Sequence, residues 1–495
     1  MGKSSNMAQN ILVIDEGTTS TRAMLFDRHG KLHGSQQEAL RQYYPSPGLV
    51  EHDATEIWDK TLRCCQKMIE KAGGADKIAA IGITNQRETV VAWDKRSGEP
   101  LAKAIVWQDR RTAEKCEVLK ADGREEMVQA RTGLLLDPYF SGSKIGWMLE
   151  NCPEVREAGD SLAFGTIESY LIYRLTGGQH VTDASNASRT MLMALDGHDW
   201  DDQLLAMFDI PKKTLPRIVD CAGEIGQTAA NLFGSAIAIC GSAGDQQAAT
   251  IGQACLSVGE TKATFGTGAF ILTNSGETAP RSDNRLLSTI LYQHAGKRIY
   301  ALEGSVFVAG SLMQWLRDDI GLLEFAGESE KLARSVSDNG GVYLVPALSG
   351  LGAPHWRADA TASIFGLSFS SKKAHIARAA LESMAYQCHD LKTAFSADGV
   401  DWQNLRIDGG MVTNDWMVQD LADILDIRVE RPEFFETTAL GAAMLAAVGS
   451  GIYPTLEAAS VMISELEIYQ PDIDPDARIT RLAGWKSAIN SALSR

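Results

Sequence analysis

The sequence has 495 residues, of which 44% are hydrophobic and 22% are charged, a globular composition long enough for two or three domains. Its net charge of −16 argues against a nucleic-acid or anionic-membrane partner, because both are themselves negative. No run reaches the ~18 apolar residues of a membrane span, the start has no apolar signal core, and the eight scattered cysteines predict reduced thiols, so we expect a cytoplasmic protein.

The first half of the chain is predicted to alternate between strands and helices. Ile11–Ile14 and Arg22–Asp27 are short apolar runs on either side of a Gly/Thr turn, and this pattern predicts a strand hairpin. A helix is predicted over Thr112–Ala130, and a glycine turn at Gly241–Gly244 is predicted to open another helix. Further strands are predicted at the apolar runs Ile78–Ile83, Val90–Trp93, Ala104–Trp107 and Ile237–Cys240.

The pattern restarts in the second half. A strand at Glu260–Thr264, a second Gly/Thr turn and another strand at Phe270–Asn274 echo the first hairpin and indicate an internal duplication. We therefore predict a disordered extension over residues 1–10 and two similar α/β halves, over 11–255 and 256–495. Later elements predicted in the same way are the strands Val342–Pro346 and Leu405–Asp408 and the helices Ala374–Leu391, Trp416–Leu425 and Thr438–Ala447.

The turn of the first hairpin, DEGTTS over residues 15–20, is a candidate phosphate-binding site. The chain has no G-x-x-x-x-G-K-[ST] loop and no G-x-G-x-x-G kinase loop, so phosphate must be held in another way. Gly17 lets the backbone approach a ligand closely, and Asp15 at the strand end suits direct or water-mediated Mg²⁺ coordination. Besides the turn amides, the candidate donors to phosphate are Thr18, Thr19, Ser20 and Arg22.

A second turn, FGTG over residues 265–268, is its counterpart in the second half. Two such turns facing each other across a cleft would hold a polyphosphate from both sides. Either turn taken alone is more often an ordinary tight hairpin. The pairing of the two, with Asp15 ahead of the first, is what favours phosphate binding.

Asp245 is the candidate general base. It follows Gly241–Gly244 at the predicted start of an Ala-rich helix, where a carboxylate could equally serve as a plain helix cap. A helix N-terminus keeps a carboxylate ionised, and an ionised carboxylate in a cleft can accept the proton of an alcohol that attacks phosphorus. Gln246 could hydrogen-bond the same substrate.

Taken together with these candidate residues, the motifs of the sequence resemble those of the FGGY carbohydrate kinases from about residue 11 to residue 452. The similarity is carried by motifs in order, namely DEGTTSTR, PGLVEHD, IGITNQRET, IVWQDRRTA, TGLLLDPYFSGSKIGWMLEN, DASNASRTML, AGDQQAA, FGTGAF, ALEGSVFVAG, LVPALSGLGAPHW, RIDGGMVTNDW and TALGAA. The resemblance implies an α/β fold of two actin-like, ribonuclease-H-like domains with an active-site cleft between them.

The resemblance is strongest to the members that act on glycerol. It implies phosphorylation of glycerol by ATP with Mg²⁺, giving sn-glycerol 3-phosphate. Residues 11–255 would bind glycerol and phosphate, and residues 256–495 would bind the adenine nucleotide. The family also suggests a homodimer or homotetramer.

The family's roles carry over by position. Asp245, as the base, and Arg22 would be the catalytic residues, and Asp15 and Asp245 would lie at the metal. Phosphate would be contacted by Thr18, Thr19, Ser20, Arg22 and Thr267. The nucleoside would be contacted by Gly310, Gln314, Gly410 and Asn414. Glycerol would be contacted by Arg87, Glu88, Trp107, Tyr139, Asp245, Gln246 and Phe270.

The hydrogen-bonding groups of the predicted glycerol contacts suit a small polyol, independently of the family resemblance. Arg87 can only donate hydrogen bonds and an ionised Glu88 can only accept them, so together they satisfy both sides of a hydroxyl. Trp107 and Phe270 can cover the carbon edge of a small polyol. A site built from hydrogen-bonding groups rejects analogues that leave those groups without partners.

Five positions depart from the family pattern. Glu16 replaces the usual Gln and is expected to add negative charge beside the phosphates. Glu168 replaces Asp and Tyr170 replaces Trp, and both are expected only to repack the core. His355 replaces Tyr in a loop that could shape the cleft mouth or an oligomer contact, although a surface loop that has simply drifted is the more common case. Ala236 stands where many bacterial members have an Arg that helps bind fructose 1,6-bisphosphate, so we expect no inhibition by that sugar phosphate.

Other functions remain open at this point. A kinase for another small polyol or triose, such as erythritol or dihydroxyacetone, would keep both turns and Asp245 but change the pocket around Arg87, Tyr139 and Phe270. An actin-like protein that binds ATP to switch shape would have no use for an Asp-Gln pair facing an Arg-Glu pair. A dinucleotide oxidoreductase is disfavoured, because no G-x-G-x-x-G follows the first strand.

Overall fold

The strands described by the structure form one large sheet and three small ones. The computed structural model describes residues 10–357 and 359–494, so nearly all of the predicted N-terminal extension lies outside the described residues. In chain order the strands are β1 Asn10–Glu16, β2 Ser20–Asp27, β3 Leu32–Ala39, β4 Glu51–His52, β5 Ile78–Asn85, β6 Val90–Asp94, β7 Ala104–Ile105, β8 Leu162–Thr166, β9 Val181–Asp183, β10 Arg217–Val219, β11 Ala222–Gln227, β12 Ala238–Gly244, β13 Glu260–Phe265, β14 Ala269–Gly276, β15 Leu287–His294, β16 Lys297–Val306, β17 Tyr343–Val345, β18 Ser363–Phe365, β19 Asn404–Asp408, β20 Val429–Pro432 and β21 Leu466–Tyr469.

The helices are mostly short and lie between these strands. They are α1 Ala54–Ala72, α2 Ala113–Ala121, α3 Glu125–Thr132, α4 Ser141–Asn151, α5 Pro153–Glu157, α6 Ile167–Thr176, α7 Ala184–Ala187, α8 Asp202–Met207, α9 Ala230–Phe233, α10 Asp245–Gly252, α11 Gly310–Asp318, α12 Glu328–Arg334, α13 Lys373–Ala397, α14 Asp415–Leu425, α15 Thr437–Gly449, α16 Leu456–Ala459 and α17 Pro475–Leu493. None of these described helices is both long and apolar enough to cross a membrane.

The large sheet repeats one strand order twice. Its first half runs β3-β2-β1-β5-β12 and its second half runs β16-β14-β13-β19-β20. In each half an antiparallel hairpin, β1–β2 or β13–β14, is followed by parallel strands. The halves are joined through β11 and β15, and the predicted boundary near residue 255 falls between α10 and β13. The α/β class predicted from the sequence is confirmed, and the repeated hairpin is part of a repeated sheet.

The core lies against both faces of each half-sheet. In β1, Ile11 and Val13 pack in one apolar cluster with α15, whereas Leu12 and Ile14 pack in another with α1. Successive side chains of a strand point to opposite faces, so a continuous apolar run is what a strand buried on both sides requires. Phe265 belongs to a third cluster, which fills the second half.

Two helices cross where the halves meet. A Cβ added to Gly441 of α15 would lie 1.8 Å from the Ala248 carbonyl oxygen of α10, and one added to Gly252 of α10 would lie 1.9 Å from the Thr437 carbonyl oxygen. Only glycine permits such close approach of two backbones. This contact sets the position of Asp245, the first residue of α10.

Three predicted elements are wrong in detail. The helix predicted over Thr112–Ala130 is two helices, because Gly123 has a φ of +73° and interrupts it between α2 and α3. The glycine turn predicted at Gly241–Gly244 is part of β12, and these four residues pair with β5 after a register shift that follows Ile239. Ala104–Trp107 is a strand only over its first two residues. The remaining predicted strands and helices are present, with ends shifted by a few residues.

Candidate active site

The first hairpin holds Asp15 and Arg22 side by side. The two residues are paired across β1 and β2, so their side chains share a face of the sheet, and Arg22 Nε donates to Asp15 Oδ2 at 3.1 Å. Arg22 Nη1 also donates to Glu436 Oε2 at 2.7 Å. Burial opposes the charge on Arg22, but the two carboxylates outweigh it and raise its pKa. Because Glu436 directly precedes α15, this ion pair ties the hairpin to the second half.

The turn between these strands keeps its donors available. Gly17 N donates to Ser20 O at 3.0 Å, which closes the turn. The Thr18 hydroxyl accepts from Trp107 Nε1 at 3.0 Å, and the Ser20 hydroxyl accepts from Gln37 Nε2 at 2.8 Å. A hydroxyl that accepts one hydrogen bond still has its own proton to donate. Both hydroxyls can therefore donate to a phosphate oxygen.

Arg87 is the centre of a buried charged group. It follows β5, is 3% exposed, and its Nη1 donates to Glu303 Oε2 at 2.6 Å. Its Nε lies 3.4 Å from Asp245 Oδ1 and 3.8 Å from Glu88 Oε1. Burial opposes the charge on Arg87, but Glu303 and Glu88 raise its pKa well above the ordinary value. The predicted glycerol contacts Arg87, Glu88 and Asp245 are thus brought together.

Arg189 and Glu303 complete this group, and the sequence analysis gave neither a role. Arg189 is fully buried and donates to Glu88 Oε1 at 2.7 Å and to Glu303 Oε1 at 2.9 Å. Burial raises the pKa of Glu303, but Arg189 and Arg87 outweigh it and lower that pKa to about 2. We call Arg87, Glu88, Arg189, Asp245 and Glu303 the arginine cluster. A single Glu inside the apolar strand β16 was the signal that could have found it, because buried carboxylates are paired.

Asp245 is the most accessible carboxylate of the arginine cluster. Its side chain is 33% exposed, whereas those of Glu88 and Glu303 are each 1% exposed. Burial raises the pKa of Asp245 to about 6, with Arg87 acting in the opposite direction. A carboxyl with this pKa is mostly ionised at neutral pH and remains basic enough to accept a proton.

Gln246 faces a buried lysine. Lys262 of β13 is fully buried, and its Nζ donates to Gln246 Oε1 at 2.5 Å. Lys262 pairs with Leu272 in the sheet, and Leu272 pairs in turn with Glu303, so the lysine and the glutamate lie on one face. This face of the second half therefore closes over Asp245 and Gln246 from the first half.

Three aromatic residues were predicted as contacts of a small polyol. The rings of Trp107 and Tyr139 meet edge to face with centroids 5.6 Å apart. The Tyr139 hydroxyl lies 3.5 Å from Arg87 Nη2, at the limit of a hydrogen bond. Phe270 pairs with Ser305, two residues from Glu303, and so points to the same face of the sheet as Glu303. All three rings are thus placed around the arginine cluster.

A separate cavity of about 410 Å³ lies in the second half beside α11. We call it the α11 cavity. Thr267 lines it together with the four residues predicted to contact a nucleoside, namely Gly310, Gln314, Gly410 and Asn414. Gly310 N donates to Gly266 O at 2.9 Å, which joins the second Gly/Thr turn to the start of α11. A Cβ on Gly310 would lie 2.5 Å from that same oxygen.

A magnesium ion would depend on few protein ligands here. Among the described residues no group of three or more His, Cys, Asp or Glu side chains could hold a metal. Asp15 and Asp245 supply carboxylate oxygens, and Mg²⁺ is usually bound by one or two carboxylates together with waters and substrate phosphates. The residues present fit a metal ion that arrives with a polyphosphate.

Four of the five departures from the family pattern have structural explanations. Burial raises the pKa of Glu16 to about 8, so its carboxyl is mostly protonated at pH 7 and the expected extra negative charge beside the phosphates is wrong. Glu168 accepts from Thr182 at 2.7 Å and so takes part in a buried polar network, and Tyr170 packs edge to face on Trp93. His355 lies 3.4 Å from an Asp390 carboxylate oxygen.

Comparison with known proteins identifies the family of this chain. Residues 10–252 match the N-terminal domain of the FGGY family of carbohydrate kinases, and residues 261–450 match its C-terminal domain. The chain is 50% identical to a glycerol kinase of Methylobacterium nodulans, over 99% of each protein. It is also 50% identical to a glycerol kinase of Rhizobium meliloti, over 98% of this chain and 99% of that protein.

Solved structures share the fold over nearly the whole chain. A glycerol kinase of Plasmodium falciparum with ADP superposes with a TM-score of 0.93, at 36% identity and 98% coverage of both chains. A gluconate kinase of Lactobacillus acidophilus superposes with a TM-score of 0.87, at 25% identity and the same coverage. On the strength of both domain matches and of relatives at half identity, this chain belongs to the FGGY family of carbohydrate kinases.

Proposed function

We propose that this protein transfers the γ-phosphate of ATP to a terminal hydroxyl of glycerol, giving sn-glycerol 3-phosphate and ADP. The observation that carries the proposal is the position of Asp245. Its partly exposed carboxylate lies 3.4 Å from Arg87, among groups suited to a small polyol and at the junction with the second half of the sheet. The half-identical relatives named glycerol kinase support the same substrate.

The polyol would be held by fixed donors and acceptors. Arg87 can only donate, and the single oxygen Oε1 of Glu88 accepts from Arg189. The other oxygen of Glu88 makes no hydrogen bond with any described residue and is left to accept from a substrate hydroxyl. Trp107 and Tyr139 offer ring surface to the carbon chain. This arrangement suits a short triol better than a purely apolar ligand.

The phosphoryl transfer would then proceed by positioning and proton removal. Asp245 accepts the proton of the terminal hydroxyl as its oxygen attacks the γ-phosphorus, and the bond to the β-phosphate oxygen breaks. Arg22 and the hydroxyls of Thr18 and Ser20 donate to phosphate oxygens that gain charge. Thr19 and Thr267 are proposed to add contacts from the first and second turns. Mg²⁺ held near Asp15 and Asp245 would neutralise charge on the phosphates.

The adenosine is proposed to lie in the α11 cavity. The backbone at Gly310 and Gly410 would lie against the nucleoside, and Gln314 and Asn414 would supply polar side chains. These residues line one space that also contains Thr267 of the second turn, so a nucleotide there could direct its phosphates toward the first hairpin. The roles of the individual residues rest on this placement and on the family resemblance.

A substrate screen tests the proposal. Purified protein with MgATP is assayed for ADP release against glycerol, erythritol, dihydroxyacetone, xylulose and ribulose. We expect the highest kcat/KM with glycerol. A higher kcat/KM with another acceptor would move the assignment to a different polyol or triose. No release above the rate without acceptor would refute a kinase for these compounds.

We also propose a cytoplasmic location and a homodimer or homotetramer. The support for the assembly is the family resemblance, and the composition supports the location. Light scattering on the purified protein at micromolar concentration is expected to give two or four times the 53.6 kDa chain mass. A mass of one chain would contradict the proposed assembly.

A further inference from the structure

The amide of a glutamine side chain has two ends with opposite hydrogen-bonding roles. Its amide oxygen accepts hydrogen bonds and its amide nitrogen donates them, so the orientation of the amide decides what Gln246 can offer a ligand. Next to it, an ionised Asp245 can only accept. Gln246 can therefore complement Asp245 at a hydroxyl only if it presents its nitrogen, because a hydroxyl both donates and accepts.

Lys262 removes this ambiguity. A lysine ammonium has donors and no acceptor, so the 2.5 Å contact from its Nζ requires the oxygen of the Gln246 amide. Within residues 10–357 and 359–494, the side-chain nitrogen Nε2 of Gln246 donates to no group, whereas its backbone nitrogen donates to Asp245 Oδ1 at 2.7 Å. Gln246 is itself partly exposed, whereas Lys262 is fully buried. The nitrogen is thus the end of the amide left for a ligand.

The lysine is held in place by the sheet and by charge. Lys262 and Arg406 are paired across β13 and β19, and so are Thr264 and Asp408, which places Asp408 on the same face two residues further along. Burial lowers the pKa of Lys262, and the carboxylates of Asp408 and Asp245 act in the opposite direction. A buried cation is costly unless it is paired and hydrogen-bonded. An apolar residue would fill this space without that cost.

We propose that Lys262 is a positioning residue for the reaction, which fixes the Gln246 amide so that its nitrogen donates to a hydroxyl of the substrate while Asp245 accepts from one. The inference rests on the proposed function, since it needs a hydroxyl-bearing substrate in this pocket. It assigns a task to a residue of the second half that acts on the substrate only through Gln246.

The test compares the variants K262M, Q246A and the double variant, with wild-type turnover of glycerol measured in the same assay. We expect K262M to raise the KM for glycerol about fivefold to tenfold, the effect of one lost hydrogen bond, and to change the KM for ATP less than about twofold. The double variant is expected to lie within about twofold of Q246A, because Lys262 acts through Gln246. K392M is the control, since Lys392 donates from α13 to Leu425 O at 2.6 Å and its loss should leave both KM values unchanged.

A second variant covers the case in which K262M does not fold. Q246E keeps the shape of the side chain and pairs its carboxylate with Lys262, but it has no donor left for the substrate. We expect a thermal unfolding midpoint equal to or above that of the wild type, together with a raised KM for glycerol. A structural role of the contact would leave that KM unchanged.

The outcomes separate this inference from the proposed function. Wild-type turnover of glycerol with an unchanged glycerol KM in K262M or in Q246E would overturn the inference and leave the function intact. If the effects of K262M and Q246A on the glycerol KM were additive in the double variant, the inference would also be overturned, since Lys262 would then act independently of Gln246. No turnover of glycerol by the wild type would overturn both.

Discussion

The arginine cluster and the α11 cavity are built in opposite ways. In the arginine cluster, five charged side chains hold one another at 2.6–3.8 Å, and four of them are almost fully buried. The α11 cavity is an open space of about 410 Å³ lined mainly by glycines, polar residues and apolar side chains, with Arg317 and Glu330 as its charged residues. The arginine cluster is organised by its own ion pairs before any ligand binds, whereas the α11 cavity provides an open space that a ligand can fill. We therefore expect substitutions in the first to affect chemistry and stability together, and substitutions in the second to affect nucleotide affinity alone.

The largest effect is expected at the exposed edge of the arginine cluster. Asp245→Asn keeps the size of the side chain but removes the base, so kcat with glycerol should fall about 10²- to 10⁴-fold while nucleotide binding is retained. Steady-state kinetics and ADP titration measure the two effects. Asp53→Asn is the control, because Asp53 caps α1 and asparagine caps as well. Near-normal turnover in the Asp245 variant would remove that residue from the mechanism.

The next effect concerns the stability of the same cluster. Glu303→Gln removes the carboxylate shared by Arg87 and Arg189 and leaves these two buried cations with only Glu88 and Asp245 as carboxylates of the cluster, so the free energy of unfolding should fall by about 3–5 kcal/mol. Chemical denaturation measures it. In the control Glu117→Gln the lost partner of Lys120 is 71% exposed, and the change should stay below about 1 kcal/mol. Equal effects of the two substitutions would show that the cluster is not preorganised.

Glu16 is the last residue of β1 in the first hairpin, and it gives a pH-dependent test. Its pKa is about 8 in the folded protein against an ordinary value of 4.5, so between these values the folded state binds more protons than the unfolded state. Its contribution to stability is therefore complete below about pH 4.5 and is lost as the pH rises toward 8, by up to about 1.4 kcal/mol per pH unit.

The matched variant is Glu16→Gln, which cannot titrate. Unfolding of both proteins is measured in denaturant from pH 5.5 to pH 8, and the difference in unfolding free energy between them should shift in favour of the variant as the pH rises. A difference that does not change with pH would mean that Glu16 is not held neutral.

The smallest effect is expected in the α11 cavity. Gly310→Ala places a methyl group 2.5 Å from the Gly266 oxygen and must displace the turn or the start of α11. We expect the KM for ATP to rise about tenfold, with the KM for glycerol changed less than twofold, as misplacement of a contact by about 1 Å commonly costs that much or more. A glycerol KM that rose in parallel would show that the two regions are not separate.

The sequence predicted correctly those features that depend on residues close together along the chain. The two hairpins, Asp15 opposite Arg22 and the start of a helix at Asp245 all follow from short runs of residues. The partners of Arg87 were not predictable in this way, because Glu303 lies 216 positions away along the chain and is brought near only by the sheet order.

The errors in the sequence-based predictions also arise from packing and burial, which short runs of residues do not reveal. Gly241 was assigned to a turn because glycine favours turns, but its small size serves the packing of β12 under α15, where an added Cβ would lie 2.5 Å from the Ala446 nitrogen. The charge expected on Glu16 was wrong because burial, which a sequence pattern does not report, keeps it neutral. Lys262 was passed over for a comparable reason, since its contact with Gln246 joins the two halves.

One measurement tests the central claim most directly. Purified protein is incubated with MgATP and one equivalent of glycerol, and the products are identified by phosphorus-31 NMR. The account predicts that ADP and sn-glycerol 3-phosphate appear in equal amounts, with little inorganic phosphate. ATP cleaved to ADP and inorganic phosphate, with glycerol left unmodified, would contradict it and favour an ATP-driven switch on the same fold.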